Sequence, residues 1–171
     1  MIRTSKLKLY KDGAWTPVGL SGGGTGGGGG GTTTFDTNFS IKMSGVKAVA
    51  SGAYTKIDKY DTIIIDGNTE WDAANLRWVC KTTGTYIINA TLAWTAAAGG
   101  YRNLYIYIDG ASVQGNSVAG VTGVSNNNII LYKKEITAGQ YVELYGLQNS
   151  GGSLNAIVGT TPFEWQIWRY K

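Results

Sequence analysis

Five acids fall within fifteen residues: Asp58, Asp61, Asp66, Glu70 and Asp72. Two carboxylates facing each other across a cleft would hydrolyse a glycoside, and several carboxylate oxygens on loops would bind calcium. The spacing fits turns and solvated strand edges better than a catalytic pair, no EF-hand pattern is present, and Asp66-Gly67-Asn68 reads most economically as a turn. Calcium is the one metal these residues leave open. The chain has no histidine, which excludes Ser-His-Asp and Cys-His catalysis and histidine-ligated metals. Gly115-Asn116-Ser117-Val118-Ala119-Gly120 is one residue too long for a nucleophile elbow, and no Gly-Lys-Ser/Thr follows the glycines at 22–31 to make a phosphate loop. Cys80 is the single cysteine, so no disulfide within the chain and no cysteine metal site is expected. Alternation places it with Leu76 and Trp78 on one face, as a buried structural thiol. The residue inventory predicts a protein that is not an enzyme.

The elements that carry these residues read as strands. With 26 Gly, 11 Tyr, 6 Trp and only 2 Pro, and no Ala/Leu/Glu/Lys stretch of helical period, the usage is that of an all-β fold. Strands are expected at 39–43, 46–50, 62–65, 76–80, 85–95, 102–109, 127–136, 140–147 and 162–170. Turn signals separate them at Asp66-Gly67, Thr83-Gly84, Gly99-Gly100, Asp109-Gly110, Ala138-Gly139 and Ser150-Gly151-Gly152. That many short antiparallel strands in one domain imply a two-sheet sandwich, most economically a jelly roll.

Residues 21–34 divide the chain. Six consecutive glycines inside this stretch cannot build a core, a stable helix or a strand with side chains to pack, so the segment reads as a tether. Residues 1–20 before it form an arm, and residues 35–171 after it the domain. In the arm, two short extended runs meet at Asp12-Gly13, a strong two-residue hairpin signal. A lone hairpin is marginal in water; it is stabilised by docking on another protein's sheet through Leu7, Leu9, Tyr10, Trp15 and Val18, or by folding back on its own domain. Arg3, Lys6, Lys8 and Lys11 against Asp12 give the arm most of the net charge of +4. The domain therefore has no concentrated basic field, and nucleic-acid binding is not expected. The basic arm suits an acidic groove on a partner or simply solubility. No apolar run approaches the roughly 18 residues of a membrane span, and Met1 to Lys6 are not followed by a secretory apolar region. The protein is expected to be made in a cytoplasm and not inserted in a membrane. Asn38-Phe39-Ser40 and Asn89-Ala90-Thr91 match glycosylation sequons in strand-like context and are read as accidental.

Four segments in order resemble the globular head of C1q and tumour necrosis factor proteins: Gly84-Thr85-Tyr86 opening a long strand, Arg102 to Gly110 ending in an Asp-Gly turn, Ala138-Gly139-Gln140-Tyr141-Val142-Glu143-Leu144, and Gln148-Asn149-Ser150-Gly151-Gly152. The resemblance covers about residues 35–171. Gln140 stands where that family often has Asp, and the glycines lack the Gly-x-y repeat of a collagen stalk. It implies a jelly roll packed as a homotrimer. The aromatic residues agree, being more than one small sandwich usually hides. In Tyr105-Ile106-Tyr107-Ile108 and the run ending at Trp168, large apolar groups alternate to both faces. Tyr86, Tyr105, Tyr107, Trp165 and Trp168 are the expected interface residues, with packing inside the one sandwich as the alternative.

Leu9-Tyr10-Lys11-Asp12-Gly13-Ala14-Trp15-Thr16-Pro17-Val18 resembles an element of tailed-bacteriophage structural proteins, in whose virions C1q-like domains also follow glycine-rich stretches. The combination implies a trimeric knob on the virion surface, made in the host bacterial cytoplasm and anchored by its arm to a tail, baseplate or capsid protein. A short tail or baseplate fibre that binds a host-surface glycan or protein leads; a capsid decoration (cement) protein or head fibre is the alternative. Loops bearing Tyr101, Arg102, Asn116, Asn126 and Asn149 would supply the contacts, since Tyr and Asn at loop tips give stacking surfaces and adaptable hydrogen bonds.

Overall fold

The computed structural model describes residues 8–11, 14–17, 35–158 and 164–170, with side chains over 39–158 and 164–170. The chain divides between Thr32 and Thr33 into two units. In the first, β1 (Lys8–Lys11) and β2 (Ala14–Pro17) pair antiparallel, Leu9 opposite Thr16 and Tyr10 opposite Trp15. Lys11 lies opposite Ala14, the register that a two-residue connection requires. Leu7, Val18, the Asp12-Gly13 pair and the tether lie outside the described residues.

The second unit is built of strands alone among its described residues: β3 (Phe35–Met43), β4 (Lys47–Val49), β5 (Thr55–Lys56), β6 (Tyr60–Asp66), β7 (Trp71–Asp72), β8 (Arg77–Val79), β9 (Gly84–Trp94), β10 (Tyr101–Ile108), β11 (Ala111–Ala119), β12 (Asn126–Ile136), β13 (Tyr141–Gln148), β14 (Leu154–Ile157) and β15 (Glu164–Tyr170). They form two antiparallel sheets. One has six strands, ordered β11-β10-β13-β8-β7 with β5 also against β13. The other has seven: β9 at its centre carries β12 on one edge and both β14 and β15 on the other, with β4 beyond β14, and β3 then β6 beyond β15.

Period-two patterning decides which side of each strand is inside. Along β9, Tyr86, Ile88, Ala90, Leu92 and Trp94 are all buried. Along β10 the buried parity is Arg102, Leu104, Ile106 and Ile108, and along β15 it is Trp165 and Ile167. The two inner faces meet through aromatic contacts. Trp165 stands edge-on to Phe39 at 5.6 Å and to Trp71 at 5.8 Å, and Trp78 of the six-stranded sheet meets Tyr86 at 5.2 Å. Such pairs add to the area that large rings bury. Two sequence expectations are corrected here. Tyr86 and Trp165 lie in the core of a single chain, not on a surface, because their strands turn that parity toward the opposite sheet.

The turns hold the strands in register. Asp109 and Gly110 have φ of 50° and 78°, the left-handed pair of a tight hairpin turn between β10 and β11. Asp109 also accepts hydrogen bonds from Tyr141 N at 3.0 Å and Gln140 Nε2 at 2.8 Å, so this turn is tied to the start of β13.

Candidate functional site

The five acids of residues 58–72 do not converge. Asp58 pairs with Lys47 at 2.6 Å, and Asp66 accepts from the backbone N–H groups of Glu70 (2.6 Å) and Trp71 (3.1 Å), closing its own loop. Asp72 binds Asn75 and, at 3.0 Å, Arg77. Glu70 is buried, accepting from Trp78 Nε1 at 3.1 Å. Burial pushes its carboxyl above the usual range, an effect the Trp78 hydrogen bond partly offsets. Among the described residues no group of three or more His, Cys, Asp or Glu is placed to hold a metal ion. Cys80 is buried beside the Tyr86 hydroxyl, and burial raises its thiol above the ordinary value.

What the sandwich does present is two unlike outer faces. On the seven-stranded sheet, the parity opposite the core places Ile129 and Leu131 of β12 beside Thr91 and Asn89 of β9. Ile129 is 62% exposed and Leu131 70%. Ile87 and Trp168 pair on the same face at the far end of β9, both half-buried. The polar groups between them are bonded to each other: Asn89 Nδ2 donates to Gln166 Oε1 at 3.3 Å, and Thr91 Oγ1 both donates to Glu164 O and accepts from Glu164 N.

The six-stranded sheet turns Tyr101, Asn103, Tyr105 and Tyr107 of β10 outward. Register sets Gly115 of β11 and Tyr145 of β13 on either side of Tyr105, and Ser117 and Leu147 on either side of Asn103. Tyr54, 56% exposed, leans over this row with ring centres 5.3 Å from Tyr105 and 6.4 Å from Tyr107. Tyr107 and Tyr145 lie 4.3 Å apart. Tyr54, Tyr101 and Tyr105 wall an open trough of about 550 Å³, floored by Asn103, Gly115, Ser117 and Leu147 with Asn116 at its edge. Gly115 is required there: a Cβ would lie 2.6 Å from the Tyr105 ring. Asn103 Nδ2 donates to the Tyr105 hydroxyl at 3.2 Å, while its buried Oδ1 has no partner among the described residues. The rim is fixed by Asn149, whose Oδ1 accepts from Tyr101 N at 2.6 Å.

The structure therefore divides the residues that the sequence joined. Of the five expected at one interface, Tyr86 and Trp165 are core, Tyr105 and Tyr107 belong to the six-stranded face, and Trp168 to the seven-stranded one. Of the residues expected on loops, four lie in strands instead, Tyr101 and Arg102 in β10, Asn116 in β11 and Asn126 in β12; Tyr101 and Asn116 line the trough and Asn149, after β13, holds its rim. Arg102 is corrected: it is fully buried, donating to Gly99 O at 2.7 Å and Ala97 O at 2.8 Å, a clamp on the loop entering β10. Asn126 lies apart from the trough's lining, donating to Ala119 O at 3.1 Å. The sequence pattern does not single out Tyr54, Asn103, Ser117 or Leu147. For Asn103 the signal is present, in the alternation Tyr101-Asn103-Tyr105-Tyr107. Tyr54 lies in a loop, where no periodicity points to it.

No protein-family model and no curated protein sequence matches the chain. Among solved structures it is similar to the Eiger TNF of S. frugiperda, with a TM-score of 0.60 and 8% identity, covering 80% of this chain and 92% of that one. It is also similar to the globular domain of zebrafish complement 1qA protein, with a TM-score of 0.51 and 12% identity over 80% of this chain and 96% of that one. With its two antiparallel sheets, the domain is a jelly-roll sandwich of the C1q and tumour necrosis factor type.

Proposed function

We propose that this protein is a non-enzymatic trimeric knob, carried on a bacteriophage particle by its N-terminal arm and displaying the jelly-roll domain outward, as a short tail or baseplate fibre that contacts the host surface. The observation that carries this reading is the exposed Ile129 and Leu131, in line with Ile87 and Trp168, on the outer face of the seven-stranded sheet. An exposed aliphatic pair on a sheet face suits a contact with another protein, and the resemblance to C1q and tumour necrosis factor domains supports a second and third copy as the occupants. A closed threefold ring is heterologous, so each copy sets this face against a different surface of its neighbour.

Placement on the virion rests on the arm's resemblance to phage structural proteins and on the arm being a unit separate from the domain. Sedimentation equilibrium of the full chain tests the assembly, with three copies expected; a monomer at micromolar concentration overturns it. Deleting residues 1–20 should leave the oligomer intact and abolish incorporation into particles, and incorporation at the normal level would remove the arm from its anchoring role.

A further inference from the structure

We propose that the trough on the outer face of the six-stranded sheet is a binding site for a neutral saccharide, with Tyr54 and Tyr105 as the stacking walls and Asn103 and Ser117 as the hydroxyl-recognising floor. This deepens the host-contact reading above and rests on it.

Three features lead to that ligand class. The first is shape: the cavity falls within the roughly 300–1,000 Å³ of small-molecule sites, and its mouth is open, as an oligosaccharide entering from a larger glycan needs. The second is chemistry. A pyranose ring offers an apolar C–H face and a rim of hydroxyls, and the trough sets aromatic walls around amide and hydroxyl groups. Asn103 donates to the Tyr105 oxygen, which fixes the orientation of this wall.

The third is charge. No ionic side chain lines the trough. Two cations of the same sheet are occupied: Lys56 is paired with Glu143 at 2.5 Å, and Arg102 lies on the inward parity, bound to backbone carbonyls. Burial first, and then the hydrogen bond to Tyr54, hold the Tyr105 hydroxyl above its usual value, and burial does the same for Tyr107 and Tyr145. Tyr105 therefore stays neutral, and with no ionic side chain in the lining a sialylated or phosphorylated sugar would find no counter-charge. The trough also lies on the opposite side of the sandwich from Ile129 and Leu131, so a contact on that face does not itself cover it.

The test is saturation-transfer NMR on the full-length protein with maltotriose, chitotriose and mannotriose, and with sialyllactose and a heparin tetrasaccharide as anionic probes. Transfer to at least one neutral probe is expected, with affinity reduced about tenfold in Tyr105→Ala, the loss of one stacked and hydrogen-bonded contact. Gly115→Ala is the second variant. It pushes the Tyr105 ring out of place without touching the core, so it should lose binding with an unchanged circular-dichroism melt. Three outcomes overturn the proposal: no transfer to any neutral probe, transfer to the anionic probes alone, or neutral binding that both variants leave intact. If Tyr105→Ala lowers the oligomer mass, the face is a protein interface and the proposal also fails. An oligomer that persists while sugars fail to bind sinks the trough alone. A monomer that binds sugars sinks the trimer and spares the trough.

Discussion

The two outer faces of the sandwich share the same antiparallel pairing, yet they differ in what they leave unsatisfied. On the seven-stranded side polar groups of β9 are bonded to β15, Asn89 to Gln166 and Thr91 to Glu164, and β12 exposes Ile129 and Leu131 between Asn127 and Lys133. Such a surface gains from being covered by any apolar surface of matching shape. On the six-stranded side the exposed groups are phenols and amides, with one buried acceptor, Asn103 Oδ1, lacking a partner. That surface gains from a ligand able to stack and to exchange hydrogen bonds. One domain thus separates a surface suited to assembly from one suited to recognition by placing them on opposite sheets.

The comparison can be broken or sharpened in order of size. Trp165→Ala, in the core that both faces share, should cost about 3–5 kcal/mol of domain stability. Urea unfolding measures it, and a loss under 1 kcal/mol would put Trp165 back at the surface. Leu131→Arg should leave the melt unchanged and weaken self-association by about 2 kcal/mol or more, as a central interface residue does; an oligomer mass insensitive to it by light scattering would remove the aliphatic face from the assembly. Asn149→Ala takes away the acceptor for Tyr101 N at the trough rim and should cost about 1 kcal/mol. Its effect belongs in saccharide affinity and amide exchange at Tyr101, with self-association untouched; a changed oligomer would mean that the two faces are coupled.

The smallest effect involves neither face. Glu70 has its carboxyl raised in the folded state by burial, so the fold binds a proton there more tightly than the unfolded chain. Its contribution is most favourable below the ordinary value of 4.5 and declines as pH rises through the folded-state value. Glu70→Gln keeps an acceptor for Trp78 and should flatten that part of the pH dependence, stabilising the domain slightly at neutral pH. Parallel stability-versus-pH curves for the two proteins would show that Glu70 does not titrate with folding.

The sequence made the sandwich legible where strands alternate strongly. The long runs of β9, β10, β12 and β13 carry Ile, Leu, Val and Tyr at period two, and their Gly-containing turns mark their ends. The pattern does not reveal β11, because Ala111–Ala119 consists of small and polar residues around two valines and leans on β10 mainly through backbone hydrogen bonds. Nor does it reveal the four-residue β14. For the site, alternation divides side chains into two sets without saying which set is inside. Where both sets are bulky, as in Tyr105-Ile106-Tyr107-Ile108, only the facing sheet decides, and it takes the isoleucines. Arg102 follows from the same parity: once Leu104 and Ile106 are inside, the arginine two residues earlier must be as well, and the neighbouring carbonyls accommodate it.

The position of β15 also governs how the molecule can be made. It lies between β9 and β3, so the last described strand of the domain separates the first from the central one. A chain emerging from a ribosome at roughly 5–20 residues per second cannot close the seven-stranded sheet until residues 164–170 have cleared the exit tunnel. Until then β3 and β9 have no strand to join them and Phe39 lacks its contact with Trp165, so every route to the native state passes through one late, long-range strand insertion. A chain truncated before residue 164 would keep the other strands while lacking its keystone. Such a fragment should be handed to proteases or aggregates and should not persist as a slightly shorter knob.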